Sequence, residues 1–148
     1  MVFKITKKAE IRRTARDIGT AVKQSVLLSG DWKGAYAVGV VVVDHQKGLA
    51  EVHEKSVDVW RVLNGTAKFT LGGALKNPQC TTRGDLSSDA IENGEEFEVG
   101  EGDVIDIPAG VAHQIDASDG RIELLIVKIN NLDSGSRQRR AGAAGMTK

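Results

Sequence analysis

An all-β fold, a double-sheet barrel with one short N-terminal helix, is predicted by three features of this chain. Short strand-like runs bounded by turn residues succeed one another from Tyr36 to Ile129. One of them, VGVVVVD ending at Asp44, is too continuously apolar to face water on one side, and another, IELLIVKI from Ile122 to Ile129, is apolar enough to be a central strand. Helical periodicity is found instead near the start, where Ile11, Ala15 and Ile18 recur among Lys, Arg and Glu. At 148 residues the chain has the length of one domain with a substantial core. The boundaries read as helix and leading strands over 1–36, barrel over 37–130 and a flexible tail over 131–148, where the composition turns polar.

Element by element, the helix is expected over Lys8 to Asp17, outside the barrel, with Gly19 as its C-cap. Strands follow at Ser25 to Leu28 and Tyr36 to Asp44. Residues 44–48 read as a hairpin turn with Gly48 at a positive φ, which makes His45 an exposed turn residue rather than a ligand. Strands at Ala50 to Glu54 and Asp58 to Leu63 come next, and Asn64-Gly65 signals a hairpin into Thr66 to Leu71. The polar stretch Ala74 to Glu95 has little periodicity and reads as an insertion, either a lid over the barrel mouth or a disordered loop. Strands at Phe97 to Val99, Val104 to Ile107, Ala112 to Asp116 and Ile122 to Ile129 complete the order.

Two clusters carry potential chemistry. Glu51 and His53 lie two apart on an expected strand, so they project from one face, and Asp58 opens the strand after it. His113 follows the turn Pro108-Ala109-Gly110 on a distant strand, and only closure of the sheet brings it to the other three. Taken alone, these residues read as partly exposed strand histidines and solvated carboxylates.

The segment GDVIDIPAGVAHQ, Gly102 to Gln114, has the spacing G-x5-P-x-G-x2-H and resembles the second motif of the cupins, small β-barrels whose histidine at this position binds a metal. The first cupin motif, H-x-H-x3,4-E-x6-G, is met in spacing by Glu51, His53, Asp58 and Gly65, with Glu51 in place of the first His and Asp58 in place of the Glu. The similarity to small single-domain cupins covers about Val38 to Lys128. It implies a double-stranded β-helix with a metal held by Glu51, His53, Asp58 and His113. A Glu, two His and an Asp are competent ligands for a divalent transition metal such as iron, manganese, nickel or zinc. Whichever carboxylate is left unligated, Glu51 or Asp58, would serve as proton acceptor. Asp58, one methylene shorter than the family Glu, is the one expected to fall short. Trp60, Val62 and Phe69 either line the cavity or are ordinary core.

Twenty basic and twenty acidic residues give zero formal net charge, so no global field favours nucleic acid or an anionic membrane as partner. Arg137, Arg139 and Arg140 in the tail read as solubilising. With neither an apolar leader nor a membrane-length run, the protein is expected in the cytoplasm. Cys80, the single cysteine, excludes an internal disulfide and reads as incidental. The resemblance also implies a homodimer, built on the VGVVVV strand. The expected activity is that of a metal-dependent enzyme acting on a small oxygenated organic molecule, as a dioxygenase or by isomerisation, cyclisation or elimination next to a carbonyl. The alternative is a non-catalytic barrel that binds a small ligand with a degenerate or empty metal site.

Overall fold

The computed structural model describes residues 3–19, 23–81 and 84–130. Helix α1 (Lys8–Asp17) precedes strands β1 (Lys23–Gly30), β2 (Tyr36–Asp44), β3 (Ala50–Val52), β4 (Val57–Gly65) and β5 (Ala67–Leu71). Four short strands follow: β6 (Ala74–Leu75), β7 (Gln79–Cys80), β8 (Leu86–Ser88) and β9 (Ile91–Glu92). The chain continues through β10 (Glu95–Val99), β11 (Val104–Ile107), β12 (His113–Asp116) and β13 (Arg121–Ile129). The flexible-tail expectation for 131–148 lies outside the described residues, as does the basic cluster within it.

Strands β1-β2-β13-β4-β11 form one antiparallel sheet and β10-β5-β12-β3-β8-β7 a second. β6 and β9 pair as a separate ribbon. Inward residues of the two sheets make the main core, with Val41, Val43, Trp60, Val62, Phe69, Ile107, Ile122 and Leu124 among its members. β13 shows how the pattern works, since Ile122, Leu124, Ile126 and Lys128 alternate inward at period two.

The continuously apolar β2 is buried on both faces, as its composition predicts. Val41 and Val43 face the barrel interior, whereas Val40 and Val42 pack with Ala15, Ile18 and Leu28 beneath α1. Each valine so covered contributes about 1.5–3 kcal/mol relative to exposure. Burial of this strand is therefore satisfied within one chain.

α1 ends differently from expectation. Ile18 is the C-cap in an extended conformation, and Gly19 is not left-handed. The exposed carbonyls are taken instead by a side chain from β13: Arg121 donates to Ala15 O at 2.9 Å and Ile18 O at 3.0 Å. A cation at a helix C-terminus is also favoured by the helix dipole. The same guanidinium binds Asp44 Oδ2 at 3.1 Å and Glu123 Oε2 at 3.2 Å, which ties the helix to the sheet.

Both expected hairpins are instead crossovers between sheets. β2 and β3 lie in different sheets, and the positive φ between them falls on His45 rather than Gly48. β4 and β5 likewise belong to different sheets, with Gly65 at φ +85° where the chain changes sheet. A Cβ on Gly65 would stand 2.0 Å from Arg121 O, so both the dihedral and the close backbone approach require glycine. Local turn chemistry encodes the bend, but which strands pair across it is a tertiary outcome.

The described residues of the stretch 74–95 are not structureless, since they form four short paired strands. β8 pairs with β3 and β7 with β8, so this segment widens the second sheet and covers one side of the site. Its polar side chains follow from an edge position, where one face meets water.

Candidate metal centre

The site lies between the two sheets. Glu51 on β3 and His113 on β12 are direct antiparallel partners, which puts both side chains on the same sheet face. β3 stops at Val52, so His53 sits one residue past the strand rather than within it. Its position is fixed by the Pro108-Ala109-Gly110 turn, whose Gly110 N–H donates to His53 O at 2.9 Å. The turn of the second motif thus anchors the histidine of the first. Asp58, on the next long strand in sequence, does not lie in the sheet of β3 but on β4 in the facing sheet.

Glu51 Oε2 is 3.8 Å from His53 Nε2 and 3.9 Å from His113 Nε2. Donor atoms of these three residues all lie within 4.8 Å of one another. Each imidazole is oriented by a partner on its other nitrogen. His113 Nδ1 donates to Val111 O at 3.1 Å and His53 Nδ1 to Asp85 Oδ2 at 3.0 Å. A carbonyl and a carboxylate both accept, so each Nδ1 carries the hydrogen and each Nε2 presents a lone pair to the shared space. His113 is buried, and its Nε2 has no hydrogen-bond partner. Burial, reinforced by neighbouring His53, holds its pKa below the ordinary imidazole value, which favours the neutral, ligating form.

An orphaned buried imidazole nitrogen beside a second histidine and a carboxylate fits a divalent metal. Two nitrogen or oxygen donors, each about 2.1 Å from one ion, stand at most about 4.2 Å apart, a limit that the 3.8 and 3.9 Å separations respect. The residues present are the two-histidine, one-carboxylate set.

Asp58 stands beside this trio. Its Oδ1 accepts from the buried Lys128 ammonium at 2.9 Å, while Oδ2 is 3.6 Å from His53 Nε2 and 3.4 Å from the Trp60 indole nitrogen. Trp60 packs edge-on against Phe69 at 5.3 Å and lies 6.2 Å from the His113 ring. Trp60 is therefore a wall of the site, and Phe69 and Val62 belong to the core behind it. His45 is exposed, stands outside the cluster and contacts Asp44. Cys80 is exposed on β7.

Sequence reasoning missed two residues. Lys128 carried a readable signal, a lysine in phase with Ile122, Leu124 and Ile126 on an apolar strand, where only a buried partner would permit it. Asp85 carried none. It reaches His53 from an irregular polar stretch, and no local pattern marks it.

Adjoining the trio is a cleft of about 260 Å³ lined by Trp32, Lys33, Lys55, Asp85 and Lys128, with Ser56 and Asn130. Among the described residues no helix is long and apolar enough to cross a membrane.

This arrangement, two antiparallel sheets facing one another, is a double-stranded β-helix, the fold of the cupin barrels. No sequence family model matches the chain, and no curated protein does. Solved structures do. A double-stranded β-helix protein from Klebsiella pneumoniae aligns with a TM-score of 0.60 at 15% identity, covering 88% of this chain and 92% of its own. A cupin 2 conserved barrel domain protein from Rhodopseudomonas palustris aligns at 0.53 and 20% identity over 75% of this chain and 63% of its own. The DMSP lyase DddQ from Ruegeria pomeroyi aligns at 0.54 and 17% identity, and the match covers 76% of this chain but only 49% of the lyase. At these identities the likeness establishes the fold.

Proposed function

We propose that this protein is a metal-dependent cupin enzyme acting on a small oxygenated organic molecule, with Glu51, His53 and His113 holding a divalent transition metal. The observation that carries the reading is the convergence of two imidazole Nε2 atoms on one carboxylate, each ring oriented through its Nδ1. Similarity to a lyase on the same fold is consistent with it. When bound, the ion supplies Lewis acidity towards a substrate oxygen or a seat for dioxygen.

The remaining roles fall to the chain's own groups. Asp85 holds His53 in the tautomer that ligates, and the Val111 carbonyl does the same for His113. Lys128 fixes Asp58 through Oδ1, which leaves Oδ2 directed at the trio as the proton acceptor for a carbon next to a carbonyl. Trp60 and the core behind it keep bulk water from that side. A mixed nitrogen and oxygen set favours iron or manganese over softer-ligand metals. The expected partners are this small substrate and a second copy of the chain.

Elemental analysis of purified protein tests the reading, with His53→Ala and His113→Ala in parallel. About one transition metal per chain in the wild type, lost in both variants, is expected. A wild type that stays metal-free after reconstitution would move the assignment to a non-catalytic ligand-binding barrel.

A further inference from the structure

The cleft beside the trio has a composition that the metal site does not account for. Its neutral polar groups are already committed. Ser56 donates to Asn130 Oδ1 at 2.7 Å, and the Asn130 amide donates to Trp32 O and Gly34 O, each at 2.8 Å. Asp85 is engaged with His53. The groups left to recognise a ligand are the ammonium groups of Lys33, Lys55 and Lys128 and the indole of Trp32.

Lys128 differs from the other two. It is 8% exposed, and its ammonium has three N–H donors, of which one is directed to Asp58. Lys33 and Lys55 are exposed at the rim, placed to attract an anion over a longer range. The indole is held rigidly. A Cβ on Gly39 would stand 2.4 Å from Trp32 Cζ2, so the glycine makes room for the ring, which packs against the main core. A cationic floor, a cationic rim and a flat apolar wall in a small volume select an anion that carries an organic body.

We propose that this cleft binds the carboxylate of a small organic acid through Lys128, and that such acids are the substrate class of the adjoining centre. The second half rests on the enzyme reading above; the first does not. Asp58 links the two places, since one oxygen meets Lys128 and the other approaches His53. A carboxylate on Lys128 thus lies one side chain away from the metal donors. Trp32 favours an organic anion over inorganic phosphate, because phosphate has no surface to lay against the ring.

Titration of the metal-depleted full-length protein with benzoate and succinate, and with benzamide, succinamide and inorganic phosphate as matched controls, tests the cleft by calorimetry. Carboxylates are expected to bind at least about ten-fold more tightly than the amides or phosphate, with affinity falling as salt rises. Lys128→Gln is expected to weaken binding by about ten-fold or more. Should that variant fail to fold, the rim double variant Lys33→Glu/Lys55→Glu decides, and it too is expected to lose about ten-fold. Amides or phosphate binding as tightly as carboxylates, or an unchanged affinity in the lysine variants, would overturn the proposal. Metal uptake after reconstitution, measured on separate aliquots of the same preparations, separates the two readings. A protein that takes up metal but no carboxylate loses only the cleft, and one that binds carboxylate but never metal loses the enzyme.

Discussion

The Lys128 ammonium lies 2.9 Å from Asp58 Oδ1, and both residues are buried where β13 and β4 run side by side in register. Two charges withdrawn from water tolerate burial because each has the other. Lys128→Met is expected to lower stability by about 3–5 kcal/mol, since it strands a buried carboxylate. Asp58→Leu combined with Lys128→Met should recover most of that loss. Urea denaturation of both single variants and the pair gives the coupling, and a double variant as unstable as Lys128→Met alone would refute it.

Asp85 orients His53 from outside the ligand trio. Removing such a partner lowers metal affinity by about 10–100-fold in comparable sites. Asp85→Ala should show a loss of that order in chelator competition, with thermal stability of the metal-free protein little changed. Metal affinity equal to wild type would assign Asp85 to the loop alone.

Arg121 joins the end of α1 to Asp44 and Glu123. Arg121→Ala is expected to cost about 2 kcal/mol and to speed amide exchange selectively in α1, as lost charge-assisted hydrogen bonds predict. The hydrogen bond from His45 first, and then that from Arg121, holds the Asp44 carboxyl below its ordinary value of 3.8. A depressed carboxylate pKa adds stability that is fully present above the unfolded value and is lost as pH falls through the folded one. Acid should therefore weaken the helix attachment below about pH 4 in the wild type. Asp44→Asn should remove that part of the pH slope in an acid series of unfolding curves.

Gly65 has a left-handed backbone against the Arg121 carbonyl. Gly65→Ala should destabilise by about 2 kcal/mol or more, because the left-handed conformation alone costs about 1–2 kcal/mol for an L-residue. Thermal unfolding measures it, and a neutral result would mean that the crossover can shift without loss.

The amino-acid pattern alone determined that this is an all-β chain with one leading helix, and it placed α1, β2 and β11 at their observed limits. These elements are legible because burial imposes a period on a helix face or an apolar run on an enclosed strand, and both periods are local. The motif spacings likewise named Glu51, His53, Asp58 and His113. Tertiary structure alone decided how these four divide. Glu51 and His113 became neighbours because β3 pairs with β12, and His53 joined them because the Gly110 turn holds its backbone. Asp58 faced them from the other sheet with one oxygen already committed to Lys128. Asp85 entered the site from a stretch with no period at all. Strand pairing and buried charge partnership depend on residues far apart in the chain, 70 positions for Asp58 and Lys128, and no local propensity encodes which distant group will neutralise a carboxylate or orient an imidazole.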